Sequence, residues 1–308
     1  MKVLITGITG YIGSHLAKEC LEQGWSVYGL VRPDSKTDLL KQNGILSKVR
    51  LHRFSQGTES LRGILRKIKP EVVCHMATLY IAEHKPEQVA ALIDSNIRFG
   101  GELLEAMRHE GVNALVSAET AWQYDPEGNV APVNLYAATK EAFAVLNRYY
   151  GDAFGLRTIQ FKLFDTYGGK DNRPKLLNKL REISKTGEVL ELSKGEQILD
   201  FTHIDDVTAA FNLGIQRVLK LKSGKTEEYV ISGKRMALKE WIQAINLNLK
   251  KPLPVVLGAK PYRAREVMVP WNGGVKIKGW RSQVSVKKGL QEFFGEPLKI
   301  RNQYDKNG

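Results

Sequence analysis

A glycine triplet placed directly after a short apolar run restricts this chain more than any other feature. Gly7-Ile8-Thr9-Gly10-Tyr11-Ile12-Gly13 follows Val3, Leu4, Ile5 and Thr6 and leads into an amphipathic stretch. In a strand–turn–helix unit of this kind, Gly7 permits the tight turn and Gly10 lets the backbone approach a pyrophosphate. Gly13 allows the helix to pack close to the strand. The free N–H groups of Thr9, Tyr11 and Ile12 at the helix start, together with the helix dipole, favour the negative charge. A glycine triplet alone is a common turn, but after a strand and before a helix it reads as a dinucleotide site.

The rest of the first half keeps the same rhythm. Residues 3–6, 26–31, 49–54, 72–77 and 114–117 read as strands, and 12–23, 61–68, 86–109 and 137–154 read as helices. A further strand is expected at 158–163. Alternation of this kind builds an α/β fold, a Rossmann-like doubly wound parallel sheet. The rhythm breaks near residue 165, where Gly168, Gly169 and Pro174 cluster and strands shorten. We therefore expect a dinucleotide-binding domain over 1–164 and a smaller substrate-binding region over 165–308, the chain crossing back over 201–213. The polar end, 302–308, reads as frayed.

Bulk properties narrow the class. The 308 residues are 43% hydrophobic and 26% charged, enough for a normal core without staples. Cys20 and Cys74 lie far apart, without the spacing of metal ligands, so no metal is expected and a reducing compartment fits. Neither a secretory leader nor a membrane-length apolar run is present, so a cytoplasmic location is expected. The net charge of +13 is spread along the chain without a nucleic-acid-binding motif. It suits a phosphate-bearing ligand and not nucleic acid or a membrane.

The end of the second strand bears on which cofactor binds. NAD sites place Asp or Glu there to accept from the ribose hydroxyls. This chain has Arg32, with Ser35 and Lys36 close behind. A guanidinium there can fork onto a 2′-phosphate, so NADP(H) is expected. Asp34 lies two residues late for the NAD role, and a loop shift would bring it into play.

Tyr136-Ala137-Ala138-Thr139-Lys140 opens the helix after the fifth strand. The four-residue spacing puts Tyr136 and Lys140 on one helix face. A phenol ordinarily titrates near ~10, and an adjacent ammonium is expected to lower that value and make Tyr136 a usable acid or base.

With the glycine turn, Cys74–Ala77, Asn96 and YAATK in place, the chain resembles the extended short-chain dehydrogenase/reductases, also called the NAD-dependent epimerase/dehydratase family. FDTYGGKDNRPK at 164–175, GEQILDFTHIDDV at 195–207 and GW at 279–280 extend the resemblance over nearly the whole chain. Within the family these segments are most similar to nucleotide-sugar 4-ketoreductases of the CDP-abequose and CDP-paratose type. The resemblance implies a homodimer built on a four-helix bundle and a sugar nucleotide between the two regions. It implies Ala77 beside the cofactor, Lys140 on the nicotinamide ribose, and Asn96, Asp165, Arg173, Lys175, Arg263 and Arg265 toward the substrate.

Two positions depart from the family pattern. Ala118 stands where relatives carry a Ser or Thr that bonds the sugar's C4 oxygen. Thr120, two residues on, is the expected substitute, because Ser117 points to the opposite face; an inactivating alanine at 118 is the alternative. Leu199 replaces an arginine that grips the diphosphate, a loss that Arg263 and Arg265 could offset.

The function these residues imply is NADPH-dependent reduction of the C4 keto group of an NDP-4-keto-6-deoxy sugar. Tyr136 is the expected proton donor, and Thr120 the group polarising the carbonyl. An NAD-dependent 4-epimerase or a 4,6-dehydratase shares the motifs, although only Glu119 stands where a dehydratase carries an acid pair. A catalytically weak NADP(H)-binding sensor or scaffold is the remaining alternative.

Overall fold

The computed structural model describes residues 1–171 and 173–295; the frayed end expected at 302–308 lies outside the described residues. The first half alternates as expected: β1 (Lys2–Thr6), α1 (Tyr11–Glu22), β2 (Ser26–Val31), α2 (Asp38–Gln42), β3 (Arg50–Arg53), α3 (Thr58–Ile68), β4 (Val72–His75), α4 (Val89–Ile93), α5 (Phe99–His109), β5 (Ala114–Thr120), α6 (Leu135–Phe154) and β6 (Arg157–Leu163). Then follow β7 (Asp165–Tyr167), α7 (Leu176–Thr186), β8 (Leu190–Leu192), β9 (Ile198–His203), α8 (Ile204–Val218), β10 (Thr226–Ile231), β11 (Lys234–Ala237), α9 (Leu238–Asn246), β12 (Val255–Leu257) and α10 (Val286–Phe294).

Seven strands form one parallel sheet in the order β3-β2-β1-β4-β5-β6-β10. The order reverses between β1 and β4, and in such sheets the crevice at the strands' C-terminal ends there receives the ligand. Apolar residues alternate to both faces. Val3, Ile5, Val116 and Phe161 pack with Phe211 and Ile215 of α8, whereas Leu4, Val73 and Leu115 pack with Leu103 of α5 and Phe143 of α6.

The structure differs from the sequence reading in three places that matter for the site. β5 runs on to Thr120 because its ladder with β6 continues through Ala118↔Phe161 and Thr120↔Leu163. The helix expected over 86–109 is interrupted by a π turn, Asp94–Arg98, between α4 and α5. Gly100 follows that turn, and a Cβ there would meet the Phe143 ring at 2.5 Å, so α5 and α6 approach closely. The chain also returns to the large sheet further than 201–213: α8 packs on α1, and β10 adds the seventh strand beside β6.

The remaining elements form a three-stranded sheet, β11-β9-β7, and a two-stranded one, β12-β8. Trp241, Phe201, Leu180 and Phe293 close a separate core there. The C-terminal segment is tied to α8 by the buried Asp206. Its carboxylate accepts from Ser282 Oγ and the Gln283 and Val284 amides, and its carbonyl accepts from Trp280 Nε1. Among the described residues, no helix is long and apolar enough to cross a membrane.

Candidate active site

The glycine turn has no room for side chains where it meets its neighbours. Gly7 has φ +65, and a Cβ on it would lie 2.6 Å from the Ala77 amide nitrogen; one on Gly13 would lie 2.2 Å from the Gly7 carbonyl oxygen. No side chain caps α1 at Gly10, so its first N–H groups are available to an anion. Thr6 Oγ1 accepts from Ala77 N at 3.2 Å and fixes the β4 end against the turn. These features fit a dinucleotide pyrophosphate.

A cleft of about 370 Å³ joins Gly7, Gly10 and Gly13 to Ala118, Thr120, Tyr136 and Lys140. α6 starts there because Asn134 caps it, accepting from Ala137 N at 2.9 Å. Tyr136 and Lys140 are both buried on the first turns of α6. The expected lowering of the phenol is not what this geometry produces. Burial pushes the Tyr136 phenol up, with the Glu119 and Tyr80 charges adding to it, while a Thr78 hydrogen bond acts the other way. Lys140 Nζ instead donates to Ala118 O at 2.7 Å, and burial lowers its ammonium, Glu119 opposing. Burial therefore favours the protonated phenol, a donor before it is a base.

Ala118 and Thr120 share one face of β5, as the strand alternation requires. Thr120 Oγ1 accepts from Trp122 N at 3.3 Å, which leaves its hydroxyl proton free to donate. Ser117 lies on the other face and donates to Glu119 Oε1 at 2.9 Å.

At the β2 end, Arg32 is largely exposed, 3.5 Å from Asp34, and its amide donates to Ser35 Oγ. Lys36 is exposed two residues beyond Asp34. Arg53 ends β3 beside Val31, so a second guanidinium stands on the neighbouring strand, which the sequence reading missed.

A second cleft, about 620 Å³, runs past Trp122, Ala138, Phe164 and Asp165 to Leu199, Arg263 and Arg265. The two clefts share Trp122, Phe164 and Asp165. Leu199 presents an alkyl side chain, and Arg263 and Arg265 supply the cationic wall; Arg263 pairs with Glu83 at 3.0 Å.

Three expected substrate residues lie outside the second cleft. Asn96 is buried outside both clefts. Its oxygen accepts from Leu79 N and Thr78 Oγ1, and its NH₂ donates to Leu79 O and Thr139 Oγ1. With its amide fully engaged, it holds the loop after β4 against α6 and offers nothing to a substrate. Arg173 and Lys175 line the first cleft. Arg173 makes a bidentate pair with Asp171 and lies 4.1 Å over the Tyr11 ring. Lys175 pairs with Asp165 at 3.2 Å and lies 3.8 Å from the Tyr80 ring centre. Tyr80 itself, edge-on to Tyr136 at 5.0 Å, carried no signal in the sequence beyond following the β4 end.

The NAD dependent epimerase/dehydratase family model matches residues 3–232. A CDP-abequose synthase of Yersinia pseudotuberculosis is 26% identical over 306 residues, covering 97% of this chain and all of its own length. A dTDP-4-dehydro-6-deoxy-D-allose reductase of a Streptomyces species is 27% identical over 253 residues, covering 75% of this chain and 76% of its own. Among solved structures, a UDP-glucose-4-epimerase of Stenotrophomonas maltophila with bound NAD and formylated UDP-arabinopyranose superposes with a TM-score of 0.85 at 19% identity, over 96% of this chain and 97% of that one. With the family model spanning most of its length, the chain belongs to the NAD dependent epimerase/dehydratase family.

Proposed function

We propose that this chain is an NADP(H)-dependent oxidoreductase that reduces the C4 keto group of an NDP-4-keto-6-deoxy sugar. The observation that carries this reading is the shared cleft. A buried, protonated phenol and an ammonium stand on one wall, the glycine cradle stands on another, and a second cleft with a cationic end opens beside them. The relatives named CDP-abequose synthase and dTDP-4-dehydro-6-deoxy-D-allose reductase support the substrate class.

In this reading residues 1–164, with α8 and β10, hold the cofactor, and the region from 165 holds the sugar nucleotide. A bound nicotinamide supplies the hydride. Tyr136 donates its proton to the developing C4 alkoxide, and a phenol that burial keeps protonated suits that step. Lys140, one turn further along α6, holds the ribose and keeps positive charge near the phenol. The Thr120 hydroxyl polarises the carbonyl in place of the side chain absent at Ala118. Arg263 and Arg265 receive the diphosphate. Arg173 and Lys175, drawn to the cofactor cleft, close over it on the Tyr11 and Tyr80 rings.

Arg32, with Ser35 and Arg53, supports NADP(H), because no carboxylate ends β2. The structural neighbour with bound NAD keeps the epimerase alternative open. A homodimer is supported by Val145 and Tyr149, exposed one turn apart on α6, and by exposed Ile93 on the adjacent α4. Cys20 and Cys74 are free and buried, in keeping with a cytoplasmic enzyme. Native mass spectrometry of the purified protein tests these points together. The expected species is a dimer that carries NADP(H) or readily exchanges it. A monomer, or a dimer with stoichiometric retained NAD, would favour the epimerase alternative or remove the dimer.

A further inference from the structure

The face of the sheet beneath α6 is polar where a core is expected. On β6, Ile159 and Phe161 pack against α8, so Thr158, Gln160 and Lys162 alternate to the α6 side. β5 presents Ser117 and Glu119 to the same side, and the ladder sets Ser117 beside Gln160 and Glu119 beside Lys162. Asn147 is buried on α6, two turns after Lys140, and α6 packs on β5 and β6. All are buried almost completely. Both amide atoms of Gln160 and of Asn147, Thr158 Oγ1, Glu119 Oε2 and Lys162 Nζ have no hydrogen-bond partner among the described residues.

Leaving that many buried polar atoms unpaired is costly, and native interiors satisfy such groups with protein or internal water. A polar space lined by several donors and acceptors is where internal water is held. The charges are also ordered. From the cleft outward run the Lys140 ammonium, the Glu119 carboxylate, the Lys162 ammonium and Glu228 of β10. Lys162 Nζ lies 3.7 Å from Glu228, which is partly exposed at the sheet edge beside Arg148 and Tyr124 Oη.

We propose that this layer is a hydrated proton path joining Lys140 at the candidate active site to solvent at the Glu228 edge, with Glu119 and Lys162 as its positioning residues. The proposal rests on Tyr136 being a proton donor. Each reduction removes one proton from Tyr136. Lys140 returns one to the phenolate. The Glu119 carboxylate takes one from the water held by Gln160, Asn147 and Lys162 and passes it through water to Lys140, with bulk solvent the source at Glu228. One proton enters per turnover and every side chain ends as it began. Burial raises the Glu119 carboxyl, with Lys140 and Lys162 opposing, and lowers the Lys140 ammonium, which narrows the gap the proton crosses. Tyr136 and Glu141 are the other titratable groups facing Glu119 from α6.

The test is Glu119→Gln, assayed with NADPH and a CDP- or dTDP-linked 4-keto-6-deoxy sugar that the parent turns over, beside Tyr136→Phe. Glu119→Gln is expected to lower kcat about tenfold at unchanged KM, NADPH affinity and melting temperature. Loss of the negative charge is also expected to move the alkaline fall of kcat to lower pH. An unchanged kcat and pH profile in Glu119→Gln, with Tyr136→Phe inactive, overturns the path and leaves Tyr136 as donor. An active Tyr136→Phe overturns the function on which the path rests. Should Glu119→Gln not fold, or no sugar turn over, a high-resolution crystal structure of the unmodified protein decides. Connected waters touching Gln160, Asn147 and Glu119 are expected; a dry layer overturns the proposal.

Discussion

His75 offers a stability test that needs no substrate. It ends β4 with no exposed surface, its Nδ1 2.9 Å from Thr6 Oγ1 and its ring between Phe99 and Phe143. Burial, and secondarily the Lys140 ammonium, lower its pKa from 6.5 to about 3. The unfolded chain therefore binds a proton below about pH 6.5 that the folded chain refuses until about pH 3. The neutral imidazole's contribution is fully present above that window and is lost as pH falls through it. At about 1.36 kcal/mol per pH unit the whole window is worth roughly 5 kcal/mol, against a total stability of about 5–15 kcal/mol. Between about pH 7.5 and about pH 5 the loss is roughly 2 kcal/mol. His75→Phe keeps an aromatic ring and removes the titration, and any fixed packing penalty cancels when only the pH difference is compared. Urea unfolding of parent and variant at both pH values supplies the numbers. The parent is expected to lose roughly 2 kcal/mol more than the variant on acidification. Equal losses would refute the buried, neutral imidazole.

Two further substitutions address the site. Arg32→Ala is expected to weaken NADPH about tenfold while leaving NADH nearly unchanged, since an exposed charge-assisted fork is worth roughly 1.5 kcal/mol; calorimetric titration with each cofactor checks it, and equal affinities in the parent would remove the assignment. Ala118→Thr is expected to raise turnover with little change in cofactor affinity, since a missing oxyanion-type donor commonly costs about 100-fold. If turnover is unchanged there and Thr120→Ala abolishes it, Thr120 alone fills the role.

What could be read from sequence alone divides along physical lines. The glycine turn and the Tyr136/Lys140 spacing are local devices, legible because one backbone conformation and one helical turn decide them. The parallel sheet was legible from its period, except β10. That strand, TEEYVI, carries two glutamates because it lies at the edge of the sheet, where Glu227 pairs with Arg217 and Glu228 with Lys162. Long-range placement was the weak point. Nothing local shows that Asn96 has its amide filled by the 78–79 backbone and Thr139, or that Arg173 turns back onto Asp171 and Tyr11. The phenol's direction was also misread. Spacing puts Lys140 near Tyr136, but only the packed structure shows burial outweighing it, with Lys140 hydrogen-bonded to Ala118 O.

The most direct test of the proposed chemistry follows NADPH absorbance with CDP- and dTDP-linked 4-keto-6-deoxy sugars for the parent and Tyr136→Phe. The substitution removes only a hydroxyl, so fold and cofactor affinity should persist. The parent is expected to oxidise NADPH with at least one of these sugars, and Tyr136→Phe to lose that rate by about 100-fold or more, as for a removed general acid. A parent inactive on every sugar, or a Tyr136→Phe variant that keeps the parental rate, would contradict the assignment of Tyr136 as the proton donor of a ketoreductase.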